Sequence, residues 1–156
     1  MSNKKKIAVF LSGLDEEYQN QITQGIHEFA AAHNIDVLHF IAFGGILNNG
    51  SYDTGEYNIF RLPNLQELDG VILLTNTIDS PETVREIINQ VRASGVPAVS
   101  VDADYQDFFS ICVDNHSAMA QIVRHFTDEH GLRRINYVSG PDMQGHRTVP
   151  GVLPQS

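Results

Sequence analysis

Seven side chains carry the chemistry that this sequence can gather at one end of a sheet: Ser12, Asp15, Tyr18, Thr75, Asn76, Asp102 and Asp114. Most of them follow a short apolar run directly. Ile7 to Leu11 precedes Ser12, Val71 to Leu74 precedes Thr75 and Asn76, Pro97 to Val101 precedes Asp102, and Phe109 to Val113 precedes Asp114. In an open parallel sheet, ligands bind beyond the carboxyl ends of the strands, where loops converge and helix amino termini point inward. Hydroxyls, amides and carboxylates mixed in this way suit a neutral polyol or sugar, whose hydroxyls need paired donors and acceptors. Tyr18 adds a ring that can stack on a sugar face. A phosphate is poorly served, because Asp15, Glu16 and Glu17 stand against the anion.

Other chemistries fail on residue type or spacing. The only lysines are Lys4, Lys5 and Lys6, and neither Lys nor Arg occurs from Ile7 to Phe60. A lysine Schiff base or a phosphate loop ending in Lys would have to use the first six residues. Ser12-Gly13 opens no Gly-x-Gly-x-x-Gly fingerprint, so a dinucleotide site is not expected. Thr75 stands where a phosphorylated receiver domain needs an aspartate, and no lysine follows the later strands. Asp53-Thr54-Gly55 matches an aspartic-protease triplet but lacks an apolar strand before it. The 7 histidines form no His-Glu-x-x-His pair, and the spacings His27 to His33 and His125 to His130 do not share a helical face. No nucleophile elbow is present. No enzyme activity, cofactor or metal is therefore expected.

The elements that must position the seven residues can be read from periodicity. Ile7 to Leu11 reads as a buried parallel strand ending in a turn at Ser12-Gly13. From Asp15 to His33 the period becomes helical, with Ile22, Ile26, Phe29 and Ala30 on one face and acidic residues in the first turn. Ile35 to Ile41 is a second strand. Ala42 to Asn58 is glycine-rich and aperiodic, and Leu62 to Leu68 can make one or two helical turns. Val71 to Leu74 is a third strand. Asp79-Ser80-Pro81-Glu82 starts a helix whose stripe is Val84, Ile87, Ile88 and Val91, and Gly95 stops it. Pro97 to Val101 and Phe109 to Val113 are further strands, with Cys112 expected as a buried structural thiol inside the second. Asp114 to Ser117 opens a helix with the face Met119, Ile122, Val123 and Phe126, and Arg134 to Val138 reads as a last strand. Strands alternating with helices predict an α/β fold with a doubly wound parallel sheet.

Lys5 to Phe40, Leu68 to Asn76, Gly95 to Val101 and Ile111 to Pro141 together resemble the type I periplasmic-binding-protein-like effector domain of the lactose/galactose-repressor superfamily. The motifs that carry the resemblance are Val113-Asp114-Asn115-His116, then His125, then His130-Gly131-Leu132-Arg133-Arg134-Ile135, then Val138-Ser139-Gly140-Pro141. Leu132 stands where that turn commonly has histidine. The resemblance implies a flavodoxin-like three-layer lobe and a non-enzymatic sensor for a sugar-like solute. It also places Asp15, Tyr18, Asn76, Asp102 and Asp114 in ligand-contacting loops, with Ser12 and Thr75 beside them. The family's helix-turn-helix segment is not seen before Ile7, so no direct contact with nucleic acid is expected, in keeping with a net charge of -9.

The resemblance further implies an amino-terminal lobe over residues 5–104 and the start of a second lobe over 109–141; residues 142–156 lose the apolar period where the family ordinarily enters another helix, and Pro150, Gly151 and Pro154 make them read as an irregular tail. A truncated chain is the reading that follows, with a homodimer or the missing lobe as partner. The amino terminus and the loop around Phe43-Gly44-Gly45 look closest to a branch that places such a sensor ahead of a diguanylate-cyclase domain. The nearest alternative is the effector domain of a transcriptional repressor without its DNA-binding segment, and a flavodoxin-like enzyme is the alternative from another class. The apolar stretch after the initial lysines is too short for a signal peptide or a membrane span, so a cytoplasmic location is expected.

Overall fold

Every residue from Ala8 to Ser12 is buried, and this explains why the first strand runs apolar without alternating. A computed structural model describes residues 4–43 and 55–136. Strand β1 (Lys5–Ser12) sits between β2 (Ile35–Ala42) and β3 (Gly70–Leu73), followed by β4 (Ala98–Val101) and β5 (Phe109–Ile111). All pairings are parallel, in the order β2-β1-β3-β4-β5. The expected doubly wound α/β sheet is therefore observed.

The order dictates where the helices lie. From β1 to β2 the chain steps one way along the sheet, and from β3 to β4 it steps the other way. Right-handed crossovers then must cover opposite faces. Helix α1 (Glu17–His33) and helix α2 (Pro81–Ser94) are these crossovers. Val9, Leu11 and Leu74 form one core cluster, with Ile22 and Ile26 of α1 packed against it. Ala8, Phe10, Leu73, Ile87, Ile88 and Val91 belong to the other, with α2. Phe10 is the centre of this second core, its ring 5.4 Å from Phe40 and 5.9 Å from Phe60. Truncation of such a ring to Ala costs about 3–5 kcal/mol, a large share of a domain's net stability.

The punctuation is chemical. Ser80 caps α2 by accepting the Thr83 backbone N–H at 3.2 Å, with Pro81 in the first turn, and Gly95 closes it in the left-handed region at φ 70°. Asn34 closes α1 in the same region, at φ 56°. Asp69 clips the start of β1: its carboxylate accepts the Lys6 N–H at 2.8 Å, and its own N–H donates to the Lys6 carbonyl at 2.8 Å.

Several expectations need correction. Helix α1 begins at Glu17, so of the three acidic residues only Glu17 lies in its first turn. Phe29 is 60% exposed and stacks on His33, 3.9 Å between ring centres, because α1 rotates Ile22 and Ile26 toward the sheet instead. The segment expected to be helical over 62–68 contains a 3-10 turn at Leu65–Glu67, capped by Asn64. Phe109–Ile111 pairs with β4 as the edge of the sheet, and the compact unit that holds the sheet runs to Val113. Cys112 lies just beyond that edge strand and is exposed, not buried, because no further strand flanks β5 among the described residues.

The second unit begins at Asp114. Helix α3 (Asn115–Arg124) is capped by the Asp114 carboxylate, which accepts the Ser117 N–H at 2.9 Å, and runs into a π-helical turn, His125–Glu129. Met119, Ile122 and Phe126 of its apolar face are exposed. Arg134, Ile135 and Asn136 form no strand, since a strand needs a ladder neighbour and none is described in this unit. Residues 137–138 of that expected strand, Ser139-Gly140-Pro141, the irregular tail over 142–156 and the glycine-rich residues 44–54 lie outside the described residues.

On the outer side of the α1 face, His27 and His39 meet Nε2 to Nε2 at 2.7 Å. The Nδ1 of His39 is buried without a partner. An orphaned lone pair is cheaper to bury than an orphaned N–H, so we assign the proton to His39 Nε2, which donates to His27. Around His39 are Val37 and Ile41 of β2, Val9 of β1 in register, and His27 of α1; Glu28, the carboxylate next to His27, is bonded to Gln24. Burial, and secondarily His27, push the His39 pKa below its ordinary 6.5. The unfolded chain then binds more protons than the folded one below 6.5, so this contribution is present above 6.5 and is lost as pH falls toward the folded value. We expect the urea midpoint to fall as pH is lowered through this window, and His39→Gln to flatten the fall; an unchanged slope in the variant would reject the assignment.

Candidate functional site

The chain reverses its direction of travel across the sheet between β1 and β3, and at such a switch point the loops at the strand carboxyl ends diverge and leave a crevice. Three of the seven sequence-selected residues meet there. Tyr18 reaches over from the first turn of α1 and its hydroxyl donates to Asp102 Oδ2 at 2.6 Å. Asn76, in the 3-10 turn Thr75–Thr77 after β3, donates from Nδ2 to the same hydroxyl at 3.1 Å. The loops after β1, β3 and β4 are thereby tied together by one phenol.

Asp102 is placed by its backbone. It adopts φ 54°, in the left-handed region that aspartate tolerates better than most residues. Its N–H still donates to the Ile111 carbonyl at 2.8 Å, prolonging the β4–β5 ladder, while Oδ1 accepts the Val113 N–H at 3.4 Å. Gly13, at φ 70°, makes the matching turn after β1, where its N–H donates to the Ala42 carbonyl at 2.8 Å.

Ser12 and Thr75 sit beneath this rim and are buried. Ser12 Oγ donates to the Ala42 carbonyl at 3.0 Å, and its backbone N–H donates to Thr77 Oγ1 at 2.8 Å. Thr75 Oγ1 and Tyr105 Oη are 2.7 Å apart. These bonds hold the loops in shape. Asp15 is exposed, and no hydrogen bond among the described residues joins it to the Tyr18 cluster. Asp114 belongs to the second unit, where its two bonds from Ser117 hold its carboxyl below the ordinary carboxylate range.

Three supporting residues escaped the sequence reading. Gln19 is buried and donates to the Ser12 carbonyl at 3.2 Å, Thr77 receives the Ser12 N–H, and Tyr105 meets Thr75. Gln19 and Thr77 had a signal, since each adjoins a selected residue. Tyr105 had none, because its loop has no period.

Chemically the rim is a mixed donor and acceptor surface with one carboxylate. Burial, and then the bond to Asp102, push the Tyr18 pKa above its ordinary 10.0, so the phenol is neutral and serves as a donor rather than a base or nucleophile. Cys112 is near enough to contribute to that shift. Among the described residues no group of three metal-ligating side chains occurs.

No protein-family model matches the sequence, and no curated relative does. Solved structures do match. The transcription regulator CcpA of Lactococcus lactis superposes with a TM-score of 0.56 at 19% identity, over 81% of this chain and 43% of that one. The LacI-family transcriptional regulator CCPA from Weissella paramesenteroides, with bound sucrose and again with bound glucose, superposes with a TM-score of 0.60 at 14% identity, over 80% of this chain and 42% of that one. The fold is that of LacI-type regulators. This chain spans just over two fifths of their length, and the LacI-type fold accounts for the parallel five-stranded sheet flanked by helices.

Tyr18→Phe removes one bond to Asp102 and one from Asn76. Both lie at the surface, so we expect a loss of about 0.5–1.5 kcal/mol in urea unfolding with the fold retained. In the ultraviolet tyrosine titration the variant should lack a component above 10.0, the ordinary value. A difference titration with no such late component would refute the Tyr18–Asp102 bond.

Proposed function

We propose that this chain is a ligand-binding lobe of a sugar-responsive transcriptional regulator of LacI type, acting by binding and not by catalysis. The observation that carries the reading is the Tyr18, Asn76 and Asp102 cluster at the switch point of the sheet. Asn76 retains its second amide N–H and its amide oxygen, Asp102 retains lone pairs, and Tyr18, 39% exposed, keeps a ring face open to solvent. A sugar hydroxyl can donate to the carboxylate, accept from the amide, and leave its apolar ring face to the phenol. The bound sucrose and glucose in the Weissella paramesenteroides regulator support a ligand of this class. The similarity to transcription regulators favours the repressor-type effector over a sensor coupled to a diguanylate cyclase.

A flavin is disfavoured by charge. The strand order is also that of flavodoxins, but a flavin phosphate after β1 would meet Asp15, Glu16 and Glu17 with no lysine or arginine in that loop. A direct role in binding nucleic acid is opposed by the same acidity. No described helix is long and apolar enough to cross a membrane.

The described rim is one wall of a binding cleft. Each net hydrogen bond contributes about 0.5–1.5 kcal/mol, so three or four from one wall give a few kcal/mol, and millimolar affinity requires about 4.1 kcal/mol. The opposing wall then comes from outside this lobe, either from a second lobe or from a second copy of the chain. Nuclear magnetic resonance titration with glucose and sucrose should give millimolar dissociation constants with shifts concentrated at Tyr18, Asn76 and Asp102, and Asp102→Asn should weaken binding about tenfold. Submicromolar binding would overturn the one-wall reading. Absence of any shift at these residues across a panel of neutral sugars would overturn the site.

A further inference from the structure

The second unit brings together two histidines that α-helical geometry would keep apart. Residues i and i+5 on an α-helix point about 140° apart around the axis, since each residue turns the chain by 100°. Here the turn His125–Glu129 is π-helical, a wider winding whose i to i+5 spacing aligns such residues. His125 and His130 accordingly meet Nε2 to Nε2 at 3.1 Å, with their rings nearly perpendicular at 88° and 4.7 Å between centres. Both are exposed, so each Nδ1 can keep its proton in contact with water. Single π turns are uncommon and are found frequently at functional sites.

The distance fits chelation. Two ligand nitrogens 3.1 Å apart, each about 2.0–2.1 Å from a metal ion, subtend about 95–102° at the metal. That lies between the right angle of square or octahedral sites and the tetrahedral angle. The His27–His39 pair provides the contrast. At 2.7 Å its nitrogens would subtend only about 80–85° at the same metal distance. Metal at His39 Nε2 would also force a proton onto the buried Nδ1 that has no partner. The same residue type at nearly the same separation is thus suited to metal in one place and unsuited in the other.

We propose that His125 and His130 form a two-imidazole site for a divalent late-transition-metal ion of the zinc and copper class, with water completing the coordination. Neutral imidazole suits these ions, and no third histidine, cysteine or carboxylate joins the pair among the described residues, so the site is an open one. Its occupation would pin the widened turn that follows α3.

Zinc chloride and copper(II) chloride are the probes, added separately to the full chain. Calorimetry should give one tight equivalent, and His125→Gln and His130→Gln should each weaken it about tenfold or more, while His27→Gln changes it less than twofold. Both substituted residues are exposed, so the variants should keep the circular dichroism of the parent. Ring nitrogen resonances of His125 and His130 should move together on adding zinc, which reads the site even if a variant were to misfold. Equal affinity in parent and both variants, movement of other histidine rings instead, or no binding at about millimolar metal would each overturn the proposal.

Discussion

The rest of the structure depends on the inner part of β1, residues 8–12, being buried on both faces between β2 and β3. A strand so placed has no backbone group left for water, and all its side chains must be apolar or internally bonded. Ala8 and Phe10 enter one core, Val9 and Leu11 the other, and Ser12 ends the run with its hydroxyl turned back onto Ala42. Because β2 and β3 lie on opposite sides of this strand, the chain must double back across it. The crevice at the carboxyl ends is the geometric residue of that reversal.

The same constraint gives the polar rim its support. Buried and half-buried bonds stiffen the loops after β1, β3 and β4: Gln19 to Ser12, Ser12 to Thr77, and Thr75 with Tyr105. The Tyr18 hydroxyl then needs only to span the top. A phenol bonded to a carboxylate at 2.6 Å is a charge-assisted contact, and such contacts are stronger than neutral ones. Its exposure to water limits its worth for stability, and what it contributes is position. Asp102 is aimed across the crevice by a backbone that most residues would resist.

Much of this was legible in the residues, and the limits are physical. Short apolar runs located all five strands, most plainly β1, where burial on two faces leaves a continuous signature, while β5 kept its apolar run at an exposed edge. Ser80-Pro81 and Gly95 located α2 because caps are local chemistry. Tyr18, Asn76 and Asp102 were selected because strand ends are local too. Pairing is not local. Nothing in the interval between His27 and His39 announces that α1 and β2 bring their rings to 2.7 Å, and the five-residue step from His125 to His130 misleads unless the turn between them is known to be π-helical. Phe29 and Cys112 were misjudged for a related reason: an apolar neighbourhood in sequence predicts burial only where another element arrives to cover it. The resemblance to the repressor superfamily correctly anticipated the fold.

The exposed thiol of Cys112 gives the molecule an experimental handle. It is the single cysteine of the chain, it stands one residue beyond β5, and its neighbour Val113 donates to Asp102. A maleimide dye will therefore attach at one defined point on the border of the crevice, without any engineered substitution. Fluorescence from that point reports changes in polarity beside Tyr18 and Asp102, which turns the unaltered protein into an optical reporter for whatever small molecule settles there.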